Sequence, residues 1–422
     1  MHVRDTLRIE MAAWVLMAMV IVASAGERPA ITRPEAEVLE LAAAIAETNQ
    51  AAAVAMLQEA RERPRASAAL DYSAGNLLLS LGEFAAAQSA YEAALKKHPD
   101  FRDAKLGSAR SLLFQELWPE ADAVVRPLAT AAEASLDVLL MYGYILVAQE
   151  RFVSAETVYR RAMLLAPDTQ DAVMGLAQAF LGQQRYSEAA SLLREWVQRS
   201  PADASVWQLL AEIEWTAGRE DAALTVLETA RRLVPLSTAM VQMLGELYQS
   251  RGMPAAAVRV YESFETDWAD TPAILLRWVE ALLDLDRIAA AGERLDLVED
   301  VHQTARHHEV RMRWAQAADE PEIIREALHR WIELDPTNKA ALLAMGDAEA
   351  EAGDLEAASL WYDRARLAHS QSSAPLMRLA RLALDRERFA EAARWLEQAH
   401  VLSGDPQIER SLQQVRRLAD IQ

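Results

Sequence analysis

The chain has 422 residues and carries 43 basic against 63 acidic side chains, a formal charge of −20. A surface of that sign repels phosphate on average, which argues against nucleic-acid binding. Alanine supplies 83 residues, against 14 glycines and 15 prolines, and no apolar/polar alternation recurs. This composition favours helix over a β-sandwich or barrel, and the absence of cysteine removes disulfide and thiol chemistry.

In chain order, the first feature is an uncharged apolar run over residues 11–23, preceded by Arg4 and Arg8 and followed by Ala23-Ser24-Ala25-Gly26. It reads as a signal peptide, residues 1–25, cleaved after Ala25. Spanning a bilayer takes roughly 20 apolar residues, so the run is short for an anchor. The expected location is therefore exported and periplasmic; if the segment stays attached, it tethers the protein to the inner membrane.

From residue 34 onward the chain repeats. Ala53, Ala87, Ala121, Ala155, Ala189, Ala223, Ala257 and Ala291 follow one another at 34-residue intervals, and after one 33-residue step the phase continues through Ile324, Ala358 and Ala392. Four residues after the phase position stand Tyr91, Tyr159, Tyr261 and Tyr362, and seven after it Ala94, Ala162, Ala230 and Ala365. Pro99, Pro167, Pro201, Pro235 and Pro336 lie twelve after it, and Gly82, Gly218, Gly252 and Gly353 five before it. Offsets of four and seven share one helix face, proline stops the helix, and glycine marks the turn that precedes it. Each unit is thus predicted to be two helices of about a dozen residues. The repeated alanine marks a close helix crossing, and the tyrosine beside it is core.

The phase weakens twice. Residues 102–135 place Pro119 and Pro127 within the second helix, which should start at Pro119 and bend near Pro127. Residues 272–338 carry Ile324 for alanine and Pro321 at the inner turn. After residue 406, Ile408, Leu412, Val415 and Leu418 define one face of a capping helix over 407–422.

The segment Gly75-x2-Leu78-x3-Gly82-x-Phe84-x2-Ala87-x3-Tyr91-x2-Ala94-x4-Pro99, with Trp207-x2-Leu210 and Leu244-Gly245-x2-Tyr248 in later units, resembles the tetratricopeptide repeat family. The resemblance covers residues 34–406 and implies an all-α fold, a right-handed α-solenoid of about eleven repeats. It also implies that the first helix of each pair lines a concave groove. Transferred by phase, the groove positions include Tyr72, Asn76, Arg110, Tyr144, Gln178, Glu212, Trp215, Glu246 and Glu280. The N-terminal half, with Leu106, Leu113, Leu140, Met174 and Leu181, suits an apolar peptide or helix; Glu212, Glu246 and Glu280 form an acidic ladder suited to a basic segment. Asn76 has no accompanying lysine at these positions, so the family's capture of a terminal carboxylate by lysine and asparagine is not expected.

No phosphate loop, nucleophile elbow or Ser/His/Asp arrangement stands out, and no cofactor or catalytic residue is expected. The expected function is a cell-envelope scaffold that binds a protein partner. Two alternatives are a membrane-tethered assembly factor and a metal-dependent protein using His302, His307 and His308 with Glu299, Asp300 and Glu309. Neither histidine spacing suits a helical metal site, and these histidines read as surface residues.

Overall fold

The computed structural model describes residues 29–264, 271–298 and 303–419, and all regular structure within them is helical. The expected signal peptide lies outside the described residues. The chain divides into two compact units, 1–223 and 224–422.

The first unit holds α1 (Arg33–Ala46), α2 (Gln50–Arg61), α3 (Ala68–Ser80), α4 (Phe84–Lys97), α5 (Arg102–Phe114) and α6 (Trp118–Thr130). It continues through α7 (Leu136–Ala148), α8 (Phe152–Leu165), α9 (Gln170–Gly182), α10 (Tyr186–Arg199) and α11 (Ala204–Thr216); the division falls inside α12 (Glu220–Ala230). The second unit holds α13 (Thr238–Ser250), α14 (Pro254–Glu262), α15 (Pro272–Leu283), α16 (Ile288–Leu295), α17 (Ala305–Ala318) and α18 (Pro321–Leu334). Then come α19 (Lys339–Glu351), α20 (Leu355–Ala368), α21 (Ala374–Asp385), α22 (Phe389–Ser403) and α23 (Pro406–Ala419). Among the described residues, helices that follow one another within each unit pack on one another, an α-solenoid of repeats.

The packing follows the repeat phase. All ten phase alanines, including Ala358 and Ala392, have no exposed surface. The alanines seven residues on, Ala94, Ala162, Ala230 and Ala365, are also fully buried. The tyrosines between them seat against glycines of the first helices. A methyl group on Gly75 would come within 2.7 Å of the Tyr91 ring and one on Gly143 within 2.6 Å of Tyr159. Gly107 and Gly175, on the next pair, receive the other side of the same rings. Glycine is required there because the space its missing Cβ leaves is filled by an aromatic edge.

The inner turns are more uniform than the glycines suggested. Gly82, Glu116, Glu150, Gln184, Gly218, Gly252, Asp286, Asp319, Gly353 and Glu387, each five before the phase position, all adopt left-handed φ between 57° and 86°. In each the following N–H reaches back five residues, as from Glu83 to the Leu78 carbonyl at 2.9 Å and from Arg151 to Leu146 at 2.8 Å. This is the Schellman closure of a helix end.

The irregular units depart as follows. α6 starts at Trp118 with Pro119 in its first turn and continues through Pro127. Its last turn is closed from outside by Arg161 of α8, which donates to the carbonyls of Ala129 at 2.7 Å, Ala131 at 2.6 Å and Ala132 at 2.9 Å. In α18, Ile324 is only partly buried, and Ala327 and Leu328 take the interior positions. A branched four-carbon side chain is too large for the closest point of a helix crossing. In α23, Ile408, Leu412 and Val415 are buried but Leu418 is 47% exposed, so the apolar face is one residue shorter than expected.

Candidate functional site

The first helices of four consecutive pairs, α3, α5, α7 and α9, contribute to one cavity of about 490 Å³ in the first unit, closed at one side by α1. Tyr72, Asn76, Arg110, Tyr144 and Gln178 all line it, as do Leu113, Leu140 and Met174. Leu106 and Leu181 do not. Helix periodicity explains this convergence: positions eleven and fifteen before the phase alanine are one turn apart on one face, and stacking by 34 residues sets those faces side by side.

The polar groups are held in defined states. Tyr91, fully buried, donates its hydroxyl to Asn76 Oδ1 at 2.8 Å, which leaves both amide hydrogens of Asn76 without a partner at the cavity wall. Burial pushes the Tyr91 phenol well above its usual range; Tyr72 adds to the shift and the Arg110 guanidinium opposes it. Tyr144 packs against Trp118 with ring centroids 5.9 Å apart. Its phenol is pushed up to about 12, first by burial and then by Glu116, so it remains a neutral donor. Arg110 is partly buried and forms no hydrogen bond or ion pair. It is the one basic residue among those lining the cavity.

Asp137 and Asp171 line the same cavity and form no ion pairs; burial raises the Asp171 carboxyl above its ordinary value. The sequence reading missed them. Both lie eighteen residues before their phase alanine, as does Asp103, so the 34-residue spacing was a usable signal. It is masked because an aspartate in the first turn of a helix is ordinary complement to the helix dipole.

The acidic ladder does not hold. Glu212 and Trp215 are partly buried on α11 in the first unit. In the second unit, Glu246 meets Arg277 at 3.4 Å and accepts from Gln242 at 3.2 Å. Glu280 is buried and shared by Arg306, by Arg313 at 2.8 Å and by Arg277 at 3.8 Å. A carboxylate that would be costly to bury alone is neutralised by cations of neighbouring turns and helices, and so is closed to a basic partner.

The histidine reading also changes. His307 and His308 lie on α17 and are 0% and 6% exposed, so they are interior rather than surface residues. His302, Glu299 and Asp300 lie outside the described residues. Among the described residues no group of His, Asp or Glu could hold a metal ion, and no helix is long and apolar enough to cross a membrane.

Two segments match family models described as tetratricopeptide repeat, residues 72–135 and residues 146–213. Between them they cover three of the four first helices that build the cavity. No curated protein matches at a significant level. Solved structures similar to this chain include a tetratricopeptide repeat protein from Parabacteroides merdae. The two are 15% identical, the match covers 60% of this chain and 100% of that one, and the TM-score is 0.49. A second is the C-terminal part of a repeat protein from Cytophaga hutchinsonii, at 13% identity, 56% and 98% coverage and a TM-score of 0.47. A third is YrrB, described as a TPR protein with an unusual peptide-binding site, at 21% identity, 44% and 95% coverage and a TM-score of 0.37. Over residues 72–135 and 146–213 the chain carries tetratricopeptide repeats, and the buried phase alanines continue the same spacing beyond those segments.

Proposed function

We propose that the protein is a non-catalytic scaffold that binds an apolar segment of a partner protein in the cavity of its first unit. Its repeats support a protein-interaction role. The observation that carries the reading is the cavity itself: an apolar wall of Tyr72, Leu113, Leu140 and Met174 beside the unpaired donors of Asn76 and Arg110. Apolar side chains of the partner supply affinity there. Arg110 on one side and Asp137 and Asp171 on the other fix the direction in which the segment lies.

The test is a photo-reactive residue at Met141, a lining position, in the full-length protein. Partner cross-links are expected, and they should be lost when Tyr144→Ala and Arg110→Glu are added. The same label at Leu164, which is 83% exposed on α8, is the control. Identical cross-links from both positions, or their persistence in the double variant, would overturn the site.

The residue 1–25 signal motif supports export and service in the cell envelope; its retention would make the scaffold an inner-membrane-anchored assembly factor. N-terminal sequencing of the protein from its native host separates these outcomes, since export with cleavage requires a first residue of Gly26.

A further inference from the structure

His307 and His308 are adjacent on α17, their rings edge-on with centroids 5.2 Å apart. Neither nitrogen of His307 has a hydrogen-bond partner, nor has Nδ1 of His308. A neutral imidazole carries one N–H and a charged one carries two, so protonation in this pocket adds both an unsatisfied donor and a buried charge. α17 is also the helix that secures its neighbours: Arg306 and Arg313 reach Glu280 of α15, and Trp314 donates to the Ile288 carbonyl of α16 at 3.0 Å while its ring fills the space over Gly292.

We propose that the His307–His308 pair is an acid-sensitive latch, neutral when α17 and α18 are docked and driving that helix pair open once protonated. The inference is independent of the binding reading above, which concerns the other unit.

The charges facing the pair do not rescue a protonated form. On α17, Arg311 opposes protonation of both rings. From α18, Arg330 opposes it at His308 while Glu326 and Glu333 favour it, and burial outweighs them. From α15, Glu280 is committed to its arginines, and Glu293 and Arg294 of α16 form no bond to either ring. Burial is the largest cause at both rings and lowers His307 from 6.5 to about 4. With the folded value depressed, the opened state binds more protons as pH falls below 6.5, so acid favours opening. From pH 7.5 to 5.5 His307 alone raises the opening equilibrium about tenfold, and His308 adds to it. Ordinary carboxylates stay ionised across that window.

Hydrogen–deuterium exchange of the full chain at pH 7.5 and 5.5, corrected for intrinsic exchange, is the test. Peptides from 305–334 should lose protection about tenfold or more, while those from 374–403 should not. The His307→Leu/His308→Leu variant should abolish the difference. Should that variant fail to fold, exchange at the imidazole C2–H of the wild-type protein reads the titration directly. A His307 midpoint near 6.5, or equal protection of 305–334 at both pH values, would overturn the latch.

Discussion

The left-handed residue at each inner turn gives the sharpest test of the repeat geometry. Four of the ten turns use glycine there, at no steric cost, and six use Glu, Gln or Asp at φ of 57–59°. A side chain in that region costs about 1–2 kcal/mol, whereas glycine costs about 0.5–1 kcal/mol in lost freedom on folding. The difference predicts that glycine stabilises each such turn by about 0.5–1 kcal/mol. Glu150 and Gln184 are the cleanest sites, because both are exposed and neither side chain forms a hydrogen bond or ion pair. Glu150→Gly and Gln184→Gly should each raise the urea midpoint followed by far-UV circular dichroism, and their effects should add, since they sit in separate turns. Glu150→Ala should leave the midpoint near the wild-type value, because the strain stays. The converse is Gly218→Ala, where φ is 71° and nothing lies within 4 Å of the added methyl, so backbone strain is the whole effect. It should cost about 1 kcal/mol. Unchanged or lowered midpoints in both glycine variants, together with an unaffected Gly218→Ala, would refute the argument that these turns hold the helix pairs.

Three further outcomes are expected. Ala155→Leu and Ala223→Leu overpack sites with no exposed surface and should each cost about 1–3 kcal/mol in urea unfolding. Gly143→Ala drives a methyl into the Tyr159 ring and should destabilise by a similar amount, with partial recovery when Tyr159→Leu is added; a double-mutant cycle showing no coupling would separate the two residues. Glu280→Gln leaves Arg313 without an ion pair and Arg277 and Arg306 with only Glu246 and Glu309, and should cost about 1–3 kcal/mol, less in high salt, read as the melting temperature of the second unit.

The packing half of this molecule was written in the sequence at a fixed interval. Alanine at the crossings, tyrosine four residues on and glycine at the turns recur because each unit solves the same steric problem. The six turn residues that are not glycine were illegible for the complementary reason. Backbone hydrogen bonding alone imposes the left-handed state, so Glu116 and Gln184 adopt it without any change in residue type to announce it. The cavity was legible as far as phase could carry residues onto one face: Tyr72, Asn76, Arg110, Tyr144 and Gln178 converge. Burial of the two histidines was not legible, because the second helix of their pair carries Ile324 in place of the phase alanine and Leu328 in place of the tyrosine, which weakens the phase just where it had to be carried back onto α17.

The acidic residues failed as a guide because charge in a sequence does not say which charges are already spoken for. Asp71 is buried between Arg61 at 2.6 Å and Lys97 at 2.5 Å, Asp122 between Arg126 and Arg151, and Glu214 between Arg194 and Arg219. With Glu280 and its three arginines, each of these carboxylates binds a helix to another turn or another helix. Cations are the scarce partner in a chain of 43 bases and 63 acids, and these ties draw on them heavily. Arg110 stands apart by its place in the cavity. It lines an apolar wall, forms no ion pair, and stands where burial raises the cost of an uncompensated charge. A folding argument would have matched it with one of the surplus acids; its standing open beside the unpaired amide of Asn76 supports the binding role proposed for this cavity.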